Sequence, residues 1–206
     1  AVNSYFNNNV NYGIAFYGQS GSELQAVQSD FSAQYVGILS DGAGTTLKAA
    51  CNTFSNHLSS GVEVTYSDVL FDKANGGENV FISNPVDIIV IEVTNLAIQQ
   101  GNNKFSGSPY YIQGFFNSTA TSYLTNLGGG QYALNVIGNW MPAVNGTLPI
   151  SLGLLGNPVS QVNWTPPGGF YTSNCSVPGY AGFGANGRSF RKTGGLVISA
   201  GDYNGF

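Results

Sequence analysis

The sequence predicts an all-β fold, a single-domain β-sandwich or jelly roll with one short covering helix and an N-terminal donor strand. Many short segments show the two-residue hydrophobic alternation of half-buried strands. Asn-Gly pairs, which tolerate positive φ and suit tight turns, punctuate the chain at 75–76, 145–146, 186–187 and 204–205. Only one segment has clear helical spacing. Dense turns between short strands are typical of sandwiches and jelly rolls.

The N-terminal segment 1–17 is the first predicted element. An asparagine-rich lead runs into a row of alternate apolar residues, which would share one face of a strand: Val10, Tyr12, Ile14 and Phe16. The lead holds no recognisable turn partner for this strand. The row can therefore pair inside its own domain or insert into a neighbouring subunit, and we divide the chain into a donor-strand extension, 1–17, and a sandwich domain, 18–206.

Nine further strands follow from the alternation. They are predicted at Tyr35–Leu39, Val62–Phe71, Val80–Ser83, Val86–Thr94, Tyr110–Phe116, Gln131–Ile137, Leu148–Leu155, Gln161–Trp164 and Leu196–Ala200. The covering helix is predicted over Thr45–Leu58, where apolar residues recur at helical spacing after a threonine. The Gly- and Pro-rich stretch 166–191 reads as a long ordered loop pinned by Cys175. No internal repeat at a fixed period is evident.

Composition excludes several classes of partner. Of 206 residues only 8% are charged, and the net charge is −4. No basic run is present to neutralise phosphates or anionic lipid, so we expect neither nucleic acid nor a membrane surface as partner. The longest apolar run, Val86–Val93, is interrupted by two carboxylates and is too short to span a bilayer. Scarce carboxylates also suit an acidic environment, because few paired carboxylates are lost by protonation.

Several features favour export. The chain begins at Ala1 and its one methionine is Met141, as expected after removal of a signal segment. In a secreted chain Cys51 and Cys175 would form one long-range disulfide, the alternative being two buried thiols. Sequons for N-linked sugar occur at Asn117, Asn145, Asn163 and Asn174, all near predicted loops or strand ends. We therefore expect an extracellular protein carrying N-glycans.

Catalytic chemistry is poorly represented, and we predict no enzyme, no cofactor and no metal. The single histidine, His57, reads as a helix-surface residue rather than a catalytic base. No serine lies in a Gly-x-Ser-x-Gly elbow, and the glycine pattern at 182–187 neither follows a strand nor opens a helix. Glu63 and Glu92 could form a glycosidase pair facing a groove, against the plainer reading of a solvated sheet face.

In its alternating N-terminal strand, low charge and sequons, the chain resembles the subunit of the thread filaments of thermoacidophilic archaea. The resemblance implies a pilin-like protein in a head-to-tail extracellular homopolymer, used in adhesion or biofilm formation, in which each subunit donates its N-terminal strand to the next. It also implies heavy glycosylation and isopeptide bonds between subunits, for which Lys73 and Lys104 are the candidate amines. Chaperone–usher pilins share the donor-strand principle, but their closely spaced cysteine pair is missing here.

The alternative is a secreted carbohydrate-binding adhesin or lectin domain, with Trp140, Trp164 or Tyr171 as stacking platforms, and core packing as the plainer reading of each ring. A polysaccharide-degrading enzyme is a third hypothesis. The N-terminal row separates these functions. A row buried in its own domain favours a lectin or an enzyme, whereas a row that extends away from the body favours a polymer.

Overall fold

The computed structural model shows a β-solenoid of about six turns, built almost entirely from parallel strands. It describes residues 1–75, 77–117, 124–129, 131–154, 157–164, 171, 175, 191–192 and 196–199. The predicted β-sandwich is therefore wrong. Local alternation reveals where strands lie, but strand direction is set by contacts between residues more than twenty positions apart, which the alternation does not record.

The strands form three sheets, named A, B and C. In each of the first four turns the chain forms a strand of sheet B, then one of sheet C, then one of sheet A. Sheet A contains β3 Glu23–Val27, β6 Thr46–Ala50, β9 Asp68–Leu70 and β12 Leu96–Ala97. Sheet B contains β1 Tyr5–Asn7, β4 Asp30–Ser32, β7 Thr53–Ser55, β10 Val80–Ile82, β13 Lys104–Ser106 and β19 Arg191–Lys192. Sheet C contains β2 Tyr12–Tyr17, β5 Val36–Asp41, β8 Ser60–Thr65, β11 Val86–Val93, β14 Tyr110–Phe116, β15 Thr125–Gly128, β16 Gln131–Asn135, β17 Ile150–Leu154, β18 Asn157–Asn163 and β20 Leu196–Ser199.

A column of aromatic rings fills the interior behind sheet B. Each three-residue strand of this sheet places its central phenylalanine inward, and consecutive rings stack with centroids 4.7 to 5.0 Å apart. The column consists of Phe6, Phe31, Phe54, Phe81 and Phe105. The parallel register enforces this stacking because equivalent residues of neighbouring strands lie about 4.8 Å apart. The rings continue into the wider apolar core formed by the inward rows of sheets A and C.

Buried polar side chains cover both corners that flank sheet B. At the corner between sheets A and B, the side chains of Asn52, Asn79 and Asn103 each accept a hydrogen bond from the main-chain N–H one turn before, at 3.0 to 3.1 Å. Each amide also donates to a main-chain carbonyl from sheet A or just after it. At the corner between sheets B and C, His57 and Asn84 accept main-chain N–H groups in the same way. These ladders satisfy corner amides that would otherwise be buried without partners.

Left-handed residues make both corners tight. The residue directly before each polar ladder residue has positive φ, for example 57° at Cys51 and 56° at Glu78. At the start of sheet C, glycine leaves space for the phenylalanine rings of the aromatic column. A Cβ atom on Gly61 would lie 3.1 Å from both Phe54 and Phe81, so a larger residue there would crowd the aromatic column.

The predicted helix over Thr45–Leu58 is also wrong. Leu47 and Ala49 are buried in β6, Cys51 turns the corner, and Phe54 joins the aromatic column in β7. A strand, a corner and a second strand thus reproduce the three- and four-residue spacing of a helix. Among the described residues the one helical element is a 3₁₀ turn, Lys73–Asn75. The strand predicted at Tyr110–Phe116 is confirmed with its bounds, and the other eight predicted segments all overlap observed strands.

The first turn of the solenoid is extended by strands from the far end of the sequence. β19 pairs in parallel with β1, and β20 pairs in parallel with β2. The open edge of the first turn therefore accepts parallel strands from a segment nearly two hundred residues away.

Candidate functional site

The predicted donor row lies within the chain's own sheet C. Ile14 and Phe16 are buried in β2, which pairs with β5. Tyr12 is half-buried at the start of the same strand, whereas Val10 is 87% exposed at the preceding corner. The four residues therefore do not form one uniformly buried face, and the donation of this strand to another subunit stays a prediction.

The outer face of sheet C carries a group of tyrosines next to two carboxylates. Tyr17 pairs in register with Asp41, and Glu63 pairs with Leu39 on the next strand. Because alternate residues share a face, Asp41 and Glu63 are diagonal neighbours on the outside of the solenoid. Tyr17 is 44% exposed, so its ring is available beside them.

Electrostatic coupling links two more tyrosines to this group. Burial raises the pKa of Tyr12, and the neighbouring Tyr17, Glu63 and Tyr35 raise it further. Burial also raises the pKa of Glu63, with a smaller contribution from the like charge of Asp41. The five residues Tyr12, Tyr17, Tyr35, Asp41 and Glu63 are called the tyrosine–acid face below.

An exposed apolar stripe runs up the corner beside this face. In each turn, the residue that directly follows the buried polar residue of the corner between sheets B and C projects into solvent. Tyr35, which is 51% exposed, belongs both to this stripe and to the tyrosine–acid face. The stripe consists of Val10, Tyr35, Leu58, Pro85 and Pro109. With strands about 4.8 Å apart, five turns give a linear surface about 20 Å long.

Aromatic rings beside hydroxyl-bonding carboxylates can bind sugars. A tyrosine ring offers an apolar surface and a polar tip, while a carboxylate accepts hydrogen bonds from hydroxyl groups. The platforms expected from the sequence were different residues. Trp164 is half-buried, with its indole N–H donating to the Met141 carbonyl, and Trp140 meets Tyr171 edge-on at 6.4 Å.

The two glutamates considered for glycosidase chemistry do not face each other as a pair. Glu63 is in register with Ile89, whereas Glu92 lies three residues further along β11, at an irregularity of the strand with φ of 52°. The carboxylate nearest to Glu63 in the sheet register is Asp41. His57 is buried, and burial lowers its pKa to about 4, so it is not a surface base.

The cysteines and a third acidic group meet at a separate place. The sulfurs of Cys51 and Cys175 and a carboxylate oxygen of Glu78 all lie within 4.8 Å of one another. No S–S bond joins the two sulfurs in this structure, so the disulfide stays a prediction. Sequence reasoning missed Glu78, although it precedes Asn79 as Cys51 precedes Asn52.

The sequons lie in different environments. Asn145 is exposed in a tight turn closed by a hydrogen bond between Val144 and Thr147. The side-chain amide of Asn117 instead donates to the hydroxyl of Thr94 at 2.7 Å. Asn163 is half-buried at the end of β18, and Asn174 lies outside the described residues. Asn145 is thus the acceptor most open to a glycan, and glycosylation itself stays a prediction.

The two lysines proposed for isopeptide bonds are also placed. Lys73 is exposed in the 3₁₀ turn, and the ammonium of Lys104 lies 5.5 Å from the centre of the Tyr171 ring. Burial, which would favour the uncharged amine that the reaction needs, is therefore missing at Lys73. The covalent link stays a prediction.

Helices long and apolar enough to cross a membrane are absent from the part of the chain that the structure describes. Comparison with protein-family models, curated proteins and solved structures finds no match to this chain.

Proposed function

We propose that this protein is an extracellular carbohydrate-binding adhesin, and that the tyrosine–acid face binds the sugar. The observation that carries the proposal is the clustering of three partly exposed tyrosines around Asp41 and Glu63 on the outer face of a parallel sheet. The N-terminal row supports it as well, because its pairing inside the chain's own sheet is the arrangement expected of a binding module.

The geometry favours an extended glycan over a single sugar. The tyrosine–acid face continues through Tyr35 into the apolar stripe, so successive units of a linear chain would meet successive turns of the solenoid. Neutral or basic sugars fit best, because the only charges of the face are carboxylates. An anionic polysaccharide would be repelled by Asp41 and Glu63.

A glycan array followed by calorimetric titration of the best oligosaccharide tests the proposal. Tyr17→Ala and Tyr35→Ala should each weaken binding about fivefold, because one aromatic contact contributes about 1 kcal/mol. Tyr5→Ala is the matched control, since Tyr5 is 60% exposed but lies on sheet B. Equal losses at Tyr5 and Tyr17, or no binding to any glycan, would overturn the proposal.

The same titration separates binding from hydrolysis. Glu63→Gln removes a charge while keeping the size of the side chain. In a binding protein this variant changes affinity alone. Release of reducing ends by the native protein, lost in Glu63→Gln, would show an enzyme instead of an adhesin.

A filament subunit is the second candidate, and the pairing of β19 and β20 with the first turn favours it. If the equivalent strands of one subunit pair with β1 and β2 of the next, the contact is heterologous and repeats into an open filament. Val197→Pro removes a main-chain donor from β20 and should abolish polymers seen by electron microscopy. Native protein that stays monomeric at high concentration in sedimentation would exclude this function.

A further inference from the structure

We propose that Cys51, Glu78 and Cys175 bind a thiophilic divalent cation, with Zn²⁺ as the probe. Nothing in this proposal depends on the carbohydrate-binding function, because the site lies at the corner between sheets A and B. It replaces the sequence-based expectation that the two cysteines serve only as a disulfide.

The solenoid itself places the first two ligands. Cys51 and Glu78 occupy equivalent positions of consecutive turns, each in the left-handed conformation and each followed by a ladder asparagine. Equivalent positions of stacked turns lie about 4.8 Å apart, and their side chains leave the corner in the same direction. The fold thus presents a thiol and a carboxylate side by side.

The third ligand arrives from a distant part of the chain. The main-chain N–H of Cys175 donates to a carboxylate oxygen of Glu78, which ties the residue to this corner. The hydroxyl of Tyr171 donates to the carbonyl of Asn102 at 3.0 Å, and Asn102 is the next residue of the same corner column. Residues 171 and 175 therefore both contact the column, and the Cys175 sulfur lies within 4.8 Å of the Cys51 sulfur.

The donor set suits zinc. Zinc binds thiolates at about 2.3 Å and carboxylate oxygens at about 2.0 Å in a tetrahedron, which requires donor atoms about 3.5 to 3.8 Å apart. The three atoms here lie within 4.8 Å of one another, so closure needs a movement of about 1 Å. Three protein ligands leave the fourth position to water.

Charge explains why a cation would be favoured. The two sulfurs and the Glu78 carboxylate oxygen lie within 4.8 Å of one another, so their negative charges would be close together when the thiols are deprotonated. Two thiolates and a carboxylate in one place would repel one another strongly. A divalent cation removes that repulsion as the thiols lose their protons, whereas a disulfide would leave Glu78 with no role in the bond.

The experiment is a titration of the reduced full-length chain with Co²⁺, followed by displacement with Zn²⁺. Tetrahedral Co²⁺ gives visible absorption, and its thiolate charge-transfer band scales with the number of sulfur ligands. We expect one Co²⁺ per chain with two thiolates. Cys51→Ser and Cys175→Ser should each halve the charge-transfer intensity or abolish binding.

Glu78→Gln is the decisive variant because it keeps both thiols, and it should weaken Zn²⁺ binding at least tenfold. Glu92→Gln is the matched control, since Glu92 is also a partly exposed glutamate with left-handed φ, and it should bind like the native chain. Circular dichroism checks that each variant is folded. Native affinity in Glu78→Gln, fewer than two thiolates on the metal, or a Cys51–Cys175 disulfide that persists in metal-saturated protein under mild reduction would overturn the proposal.

Discussion

Asp87 and His57 should give this protein two opposing pH dependences of stability. Both side chains are buried near the corner between sheets B and C, where the main-chain N–H of His57 donates to the side-chain oxygen of Asn84 and the side-chain amide of Asn84 donates to Asp87. Burial raises the pKa of Asp87 from 3.8 to about 7, although hydrogen bonds from Ser108 and Asn84 oppose the shift. Burial lowers the pKa of His57 from 6.5 to about 4. Each folded side chain therefore prefers to be neutral.

The signs follow from proton binding in the two states. Between pH 4 and 7 the folded chain keeps a proton on Asp87 that the unfolded chain has lost, so stability falls as pH rises. At 1.36 kcal/mol for each pH step the loss is about 4 kcal/mol. Between pH 4 and 6.5 His57 is protonated in the unfolded chain but neutral in the folded chain, so stability rises with pH by about 3 kcal/mol. Over the shared range the two contributions nearly cancel.

Urea unfolding at pH 4, 5, 6 and 7 separates the contributions of Asp87 and His57 when the native chain is compared with two variants that replace each group by a neutral side chain. Asp87→Asn keeps the oxygen that accepts from Asn84 and Ser108, and His57→Asn places at this turn the residue found at position 84. The free energy of unfolding of the native chain minus that of Asp87→Asn should fall as pH rises. The free energy of unfolding of the native chain minus that of His57→Asn should rise with pH. Differences that are flat for both variants would refute the reasoning, since all other titrating groups cancel in each subtraction.

Three further substitutions test the solenoid itself by their urea midpoints. Asn79→Ala should cost about 3 kcal/mol, because the N–H of Asn52 and the carbonyl of Ala49 both lose a buried partner; a cost below 1 kcal/mol would contradict the ladder. Phe54→Ala should cost about 3–5 kcal/mol, because the ring stacks at 5.0 Å on both sides, and a smaller loss would mean that the column relaxes. Cys51→Asn should stabilise the metal-free chain by up to about 1 kcal/mol, because asparagine tolerates left-handed φ better than cysteine; destabilisation would show that thiol packing outweighs backbone strain.

Much of the strand content was predictable, but the way the strands associate was not. Alternation such as that of Tyr110–Phe116 is a local consequence of one buried face, and it survives in any β architecture. Asn-Gly pairs predict tight turns, and a tight turn between two strands leaves them antiparallel. The tight turn at Asn145 exists, yet the first five strands of sheet C are joined only in parallel.

The sequence does contain a repeat that corresponds to the solenoid turns, but its copies are not spaced at a fixed period. A polar residue, any residue, phenylalanine, two residues and a second polar residue recur five times, beginning at Ser4, Ser29, Asn52, Asn79 and Asn103. This unit is constant because it spans one corner, a three-residue strand and the next corner. The remainder of each turn varies in length, so the phenylalanines are 23 to 27 residues apart. A search for the short unit would have revealed the solenoid.

The candidate sites follow from the same architecture and could not be read from sequence spacing alone. Cys51 and Glu78 are 27 residues apart, and Asp41 and Glu63 are 22 apart, distances that suggest no contact until the turns are stacked. Once they are stacked, inward positions are occupied by rings and amide ladders, while the outward positions and the corner residues next to the ladders face fewer packing constraints. Functional chemistry can therefore change at one turn without disturbing the next. The column Asn3, Gln28, Cys51, Glu78 and Asn102 has this character. Its backbone is constant while its side chains differ at almost every turn. Cys51 and Glu78 fall on adjacent turns, the spacing at which two side chains of this column can ligate the same cation, as we propose.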